Sequence, residues 1–151
     1  MLVRSLLEQK SRDVITTRPS HTIDKAMDLM ITHNIGCLPV VDDDGHLTGI
    51  ISDKDIFLRI HQTTGEYHTL KVSDVMSYQL IVGLPDDDLE YIAGIMDKNW
   101  IRHVPIVHED KIIGLVSQRD IIKVTATHTE LENRYLNLYL EGLHHRDKSA
   151  D

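Results

Sequence analysis

A phrase recurs in this chain of 151 residues: "GIISDKDI" at positions 49–56 returns as "GLVSQRDI" at 114–121. The match runs far beyond it. With Val14 set against Leu80, Ile15 meets Ile81, Pro19 meets Pro85, Met30 meets Met96, Ile35 meets Ile101, Pro39 meets Pro105 and Val41 meets Val107. The second copy then drops one residue in its turn, and Gly49 meets Gly114, Ser52 meets Ser117, Asp55 meets Asp120 and Ile56 meets Ile121. An ordered series with one gap marks a tandem duplication, so the fold must be built from two like units.

Both copies carry the same element pattern. "VITT" is a β-rich run closed by Pro19, and a helix follows with Ile23, Ala26, Met27, Met30 and Ile31 on one face and Thr22 as its N-cap. "CLPVV" and "LTGIIS" flank "DDDGH" as a hairpin whose turn uses Gly45, and a helix begins at Ser52. Copy two repeats this with "LIV", a helix over 89–98, "HVPIV", "IIGLVS" and a helix from Ser117. The expected fold is α/β (α+β), two β-α-β-β-α repeats packed face to face, each covering the apolar hairpin that the other cannot cover alone.

The expected boundaries are an N-terminal helix and repeat 1 over residues 1–61, a mobile linker over 62–73, repeat 2 over 74–124, and a C-terminal helix with a disordered tail over 125–151. A short helix is expected at 72–76. Thr125, Thr127 and Thr129 suggest a bend, and Gly142 a helix stop. The stripe Leu131, Tyr135, Leu138 is expected to pack on the Leu2, Leu6, Leu7 patch or on a second chain.

Composition narrows the function. Sixteen Lys and Arg against 24 Asp and Glu give a net charge of -8, which argues against generic nucleic-acid binding. No apolar run approaches the roughly 18 residues of a membrane span, and the N-terminus does not read as a signal peptide. A single cysteine, Cys37, allows no internal disulfide and fits a buried hydrophobe in a reducing compartment. A cytoplasmic protein is expected.

The recurring phrase has two readings. Ser three residues before Asp is a capping box, in which each side chain bonds the other residue's backbone N–H. The same helix N-terminus offers free N–H groups and partial positive charge, where a carboxylate stays ionised and can hold a ribose diol, while Lys54 or Arg119 beside it meets a phosphate. The phrase is a cap, a ribose-phosphate grip, or both.

The repeated pattern of strand and Pro, "AMDLM", "IGCLPVVD" and "HLTGIISDKDI", answered by "IRHVPIV" and "KIIGLVSQRDI", resembles a tandem pair of CBS domains, a Bateman module, over about residues 14–122. It is most similar to small stand-alone bacterial proteins of that kind. The resemblance implies a pseudo-twofold module with two clefts between the repeats. Such clefts take adenosine compounds: AMP, ADP, ATP, S-adenosylmethionine or NAD(H). It implies a regulatory role without catalysis, a homodimer and a regulated partner protein. Carried over by position, the ribose falls to Asp55 and Asp120 with Ser52 and Ser117. The adenine pocket falls to Ile35, Gly36, Cys37, Leu38 and Pro39 in copy one, and to Ile101, Val104 and Pro105 in copy two. Thr16, Thr17, Val82 and Gly83 would form the opposite wall. Phosphates fall to Arg119, Arg102 and Lys54, with His103 either a further phosphate ligand or a packed, neutral strand residue. Copy two has Arg102 and His103 where copy one has Gly36 and Cys37, and Arg119 where copy one has Lys54, so the two sites should be unequal.

Two rivals stand beside this reading. One is a structural or dimerisation module in which the Asp residues only cap helices. The other is a metal-dependent enzyme using the acidic runs 42–44 and 86–88 and the histidines. Hairpin and helix-start chemistry explains those runs, and no EF-hand, His-Glu-x-x-His, Cys-x-x-Cys, GxSxG or phosphate-loop pattern occurs. No catalytic residue, metal or membrane contact is expected.

Overall fold

The computed structural model describes the backbone of residues 1–10 and 12–147 and the side chains of residues 1–10 and 12–138. It divides into two compact units, residues 1–116 and 117–151.

The first unit holds α1 (Val3–Lys10), α2 (Ile23–His33), β1 (Cys37–Val41), β2 (Leu47–Ser52), α3 (Asp53–Gln62), α4 (Val72–Val75), α5 (Leu89–Asn99), β3 (His103–His108) and most of β4 (Lys111–Ser117). The hairpins β1-β2 and β3-β4 form separate two-stranded sheets. The β-rich runs that open each copy do not become strands of these sheets. Each contributes one parallel bridge, Thr17 to Val40 in copy one and Gly83 to Ile106 in copy two. Each of these residues donates its N–H to the Pro of the strand and accepts a bond two residues on: Thr17 with Pro39 and Val41, Gly83 with Pro105 and Val107. Pro19 and Pro85 follow at once and end the ladder.

The helices form where the caps direct. The Thr22 side chain accepts from Lys25 N–H at the start of α2, and Asp88 accepts from Glu90 N–H at the start of α5. Both helices end in a left-handed residue, Asn34 (φ 51°) and Trp100 (φ 55°), whose N–H closes onto carbonyls of the last turn. Asn takes that conformation readily. A bulky residue does so at a cost of roughly 1–2 kcal/mol.

The two copies exchange the segments that precede them. Val72 donates to His21 O, Ser73 to Pro19 O, and Ile23 to Leu70 O, which ties α4 to copy one. Val3 donates to Asp87 O, Arg4 to Pro85 O, and Leu89 to Met1 O, which ties α1 to copy two by the same three bonds. Arg4 also pairs with Asp86. The register that sets Val3 against Val72 sets Leu7 against Met76. Those two side chains occupy equivalent places. A Cβ on Gly49 would lie 2.6 Å from Met76 Sδ, and a Cβ on Gly114 would lie 2.5 Å from Leu7 Cδ2. The glycines of the recurring phrase are there because a neighbouring side chain passes directly over the backbone. Ile23, Met30, Leu38, Ile51, Ile56, Val72 and Met76 form the copy-one core, and Val3, Leu89, Ile92, Met96, Val104, Ile106 and Val116 are its buried counterparts. The N-terminal apolar patch is therefore used by copy two: Leu6 is buried and Leu7 covers Gly114.

The second unit is α6 (Gln118–Asp147), with Ser117 before it. It is one continuous helix, without the expected bend. Thr125, Thr127 and Thr129 donate their hydroxyls to the carbonyls of Ile121, Lys123 and Thr125, which accommodates them inside a helix. The helix also passes through Gly142 and ends at Asp147, so the expected stop there is corrected: a glycine lowers helix propensity without breaking the hydrogen-bond ladder. Leu131, Tyr135 and Leu138 are exposed. Of the tail expected to be disordered, 143–147 belong to this helix and 148–151 lie outside the described residues. No described helix is long and apolar enough to cross a membrane.

Candidate functional site

Strand β2 runs into α3 at Ser52, and the helix start is fixed by a reciprocal pair. Asp55 N–H donates to Ser52 Oγ at 3.2 Å, and Ser52 N–H donates to Asp55 Oδ2 at 2.9 Å. The capping box is therefore complete within the chain, and it uses one carboxylate oxygen. Asp55 Oδ1 makes no hydrogen bond to any described residue. A capped helix start and a carboxylate oxygen available to a diol coexist in one side chain.

That side chain lines a cleft of about 250 Å³ between the two copies. Copy one supplies Cys37, Ile50, Ser52, Lys54 and Asp55. Copy two supplies Trp100, Ile101, Arg102, His103 and Pro105. Ser77, Gln79, Leu80 and Ile81 complete the lining. Ser77 is held there by exchanging both backbone hydrogen bonds with Ile50, at 3.0 and 2.8 Å.

The cleft carries both signs of charge. Lys54 is exposed at the α3 N-terminus. Arg102 Nη2 stands 3.5 Å from Asp53 Oδ1. Asp53 reaches that position because Gly36 has no side chain: a Cβ there would come within 2.9 Å of Asp53 Oδ2. Burial, reinforced by the charges of Asp55 and Asp53 and opposed by Arg102, pushes the Cys37 thiol up to about 12. It stays protonated at physiological pH and is no nucleophile.

The expected site residues thus fall into three groups. Ser52, Lys54, Asp55, Cys37, Ile101, Arg102, His103 and Pro105 come together in the cleft. Thr16, Thr17, Ile35, Gly36, Leu38, Pro39, Val82, Gly83 and Val104 are not among the residues lining it. Thr17, Leu38, Pro39 and Val104 are fully buried in the core. Gly83 lies flat against β3, where an added Cβ would meet Ile92 and Ile106. Val82 lines a separate shallow groove beside α5 with Tyr91 and Ile95. Ser117, Arg119 and Asp120 belong to the second unit, where the cap repeats: Ser117 N–H and Oγ–H donate to Asp120 Oδ2 at 2.8 Å each, and Asp120 N–H donates to Ser117 Oγ at 3.2 Å.

No motif in the sequence points to the lining by Ser77, Gln79, Leu80 and Ile81. The parallel bridge pins Gly83 to β3, so the residues before it fan over the cleft in place of Gly83 itself. The acidic run 42–44 gathers Asp42, Asp44 and His46 at the hairpin turn. Asp42 Oδ1 accepts from Asp44 N–H at 2.9 Å and His46 N–H at 2.8 Å, and the His46 bond is the main reason its carboxyl lies below its ordinary range. The Asp44 bond is that of an Asx turn, and the His46 bond closes the hairpin loop onto the same oxygen.

Comparison with known proteins bears on this geometry. Residues 3–62 and 72–126 match the family model of the CBS domain. The chain is 32% identical over 140 residues to the CBS domain-containing protein YhcV of Bacillus subtilis, a match spanning 93% of this chain and 99% of that one. It is 36% identical over 113 residues to an inosine-5'-monophosphate dehydrogenase of Methanocaldococcus jannaschii, spanning 74% of this chain and 22% of that enzyme. Among solved structures, the CBS-domain containing protein ATU1752 from Agrobacterium tumefaciens superimposes with a TM-score of 0.78 at 27% identity, over 83% of this chain and 99% of the other. The CBS domain pair of protein MJ0100, solved in complex with 5'-methylthioadenosine and S-adenosyl-L-methionine, superimposes with a TM-score of 0.76 at 29% identity, over 85% and 98%.

Proposed function

Because this chain belongs to the CBS-domain family, with two CBS repeats in tandem, we propose that it is a regulatory module whose inter-repeat cleft binds an adenosine nucleotide. The observation that carries this reading is Asp55. One of its oxygens caps α3, and the other is available where the cleft lies between the repeats. A ribose diol donates two hydrogen bonds to that carboxylate, with Ser52 beside it. A flat purine fits the apolar wall of Leu80, Ile81, Ile101 and Pro105. Phosphates meet Lys54 and Arg102, which a negative ligand draws from Asp53. The adenosine compounds bound by the MJ0100 pair support the ligand class.

The cleft has walls from both repeats, so a bound ligand favours the arrangement in which those walls meet it. Occupancy becomes a shift between two arrangements through differential affinity, which a partner protein reads. The module regulates and does not catalyse. In copy two, Asp120, Ser117 and Arg119 are assigned the same roles at a second, unequal site, and the protein acts as a homodimer in the cytoplasm.

A structural or dimerisation module is the second reading, favoured by the fact that the Ser52–Asp55 box is satisfied within the chain. Thermal unfolding with millimolar AMP, ADP, ATP, NADH and S-adenosylmethionine separates the two. A ligand present at a hundred times its Kd adds about 2.7 kcal/mol, or roughly 5–10 °C in Tm for a chain of this size. No shift with any of them leaves the structural reading.

A further inference from the structure

Trp100 is 96% exposed and sits in the left-handed conformation at the end of α5. At the equivalent place in copy one the chain has Asn34, which adopts that backbone at little cost. An exposed indole gains nothing from burial in this chain, so the side chain itself contributes nothing that offsets the left-handed backbone. Its position is distinctive in one respect: it lines the cleft mouth beside Ile101 and Arg102. The cleft, at about 250 Å³, lies just below the roughly 300–1,000 Å³ of common ligand pockets. That is room for little more than a nucleoside, so whatever a larger ligand carries beyond its phosphates would project over the rim, where the cations and the indole are.

We infer that Trp100 is a stacking platform that makes this cleft selective for nucleotides carrying a second aromatic ring beyond the phosphates, that is, dinucleotides over mononucleotides. The inference rests on the adenosine reading above and adds the second ring. The geometry orders the ligand along the cleft: adenosine at Asp55, the phosphates at Lys54 and Arg102, and the distal ring on the indole. Base–aromatic stacking contributes from about fivefold to about a hundredfold in affinity.

The test is isothermal titration of the wild-type chain and of Trp100→Asn with three probes, NAD, ADP-ribose and AMP. ADP-ribose carries a hydroxyl where NAD carries its cationic nicotinamide ring. Trp100→Asn installs the residue that copy one carries, so the fold is retained, and circular dichroism verifies it. Expected is NAD binding about tenfold tighter than ADP-ribose in the wild type, loss of that margin in Trp100→Asn, and AMP affinity unchanged within about twofold. NAD binding should also quench the single tryptophan, and ADP-ribose should not. Equal affinities of NAD and ADP-ribose in the wild type, with AMP binding intact, overturn the platform and leave the adenosine reading standing. A margin that survives in Trp100→Asn overturns it likewise. Failure of all three probes to bind the wild type overturns the platform, and the adenosine reading with it if ADP, ATP and S-adenosylmethionine also fail.

Discussion

Arg102 of the second repeat pairs with Asp53 of the first, guanidinium Nη2 to carboxylate Oδ1 at 3.5 Å, beside a cleft that both repeats wall. The pair is more than half exposed on both sides, so it contributes well under about 1 kcal/mol to folding. On the proposed reading, Asp53 competes with an incoming anion for the guanidinium. Arg102→Ala is expected to weaken AMP about tenfold, and Asp53→Asn to strengthen it about threefold, with Tm of both variants close to wild type. Titration calorimetry in parallel with thermal melts checks both halves.

The glycines of the recurring phrase make a packing prediction. Gly49→Ala places a Cβ 2.6 Å from Met76 Sδ and 3.0 Å from the Ser77 carbonyl, and the latter is backbone locked to Ile50. At Gly114→Ala the nearest atoms belong to the Leu7 side chain, the first at 2.5 Å. Both should destabilise, by about 1–3 kcal/mol, and Gly49→Ala more, because a flexible leucine can yield and a paired backbone cannot. Urea unfolding midpoints give the order. Equal costs would mean that Ser77 moves as easily as Leu7.

Much of this arrangement was legible in the residues, and its limits have physical causes. The capping boxes at Ser52 and Ser117, the Thr22 cap, the hairpin at Gly45 and the short helix at Val72 all follow from local chemistry, which short spans of sequence record. The exchange of α1 and α4 between repeats was not legible. "LVRSLLEQ" and "KVSDVMSY" share one identity, and what relates them is the apolar spacing of Val3, Leu6 and Leu7 against Val72, Val75 and Met76. The opening runs read as strands because "VITT" and "LIV" are rich in β-branched residues, yet each pairs through a single bridge before its proline. For the same reason the cleft is lined by Ser77, Gln79, Leu80 and Ile81 and not by Val82 and Gly83.

Cys37 supplies a test of cleft burial. Its thiol is raised from 9.0 to about 12, so the folded state keeps a proton that the unfolded state releases. Stability is therefore fully present below about pH 9 and falls as pH rises from there towards 12. Cys37→Ala should flatten that decline relative to wild type. At pH 8 the native thiol should react with a disulfide reagent at least about a hundredfold more slowly than the urea-unfolded chain. Rapid labelling of native protein would contradict the burial.

The Ser52 cap can be separated from ligand binding. Ser52→Ala removes the acceptor for Asp55 N–H and should cost about 1 kcal/mol. Ser52→Thr keeps an acceptor there and should restore most of it. Differential scanning calorimetry without nucleotide reads this directly.

Asp55 is proposed to hold the ribose of an adenosine nucleotide. Asp55→Asn retains an oxygen for the Ser52 N–H and removes the charge, so the helix start survives. Calorimetric titration of AMP into wild type and Asp55→Asn, with Asp120→Asn in both backgrounds to isolate this cleft, is the direct measurement. The account predicts saturable binding that falls at least about tenfold on Asp55→Asn, the scale of a lost hydrogen bond to a charged group. Unchanged affinity in Asp55→Asn would contradict it.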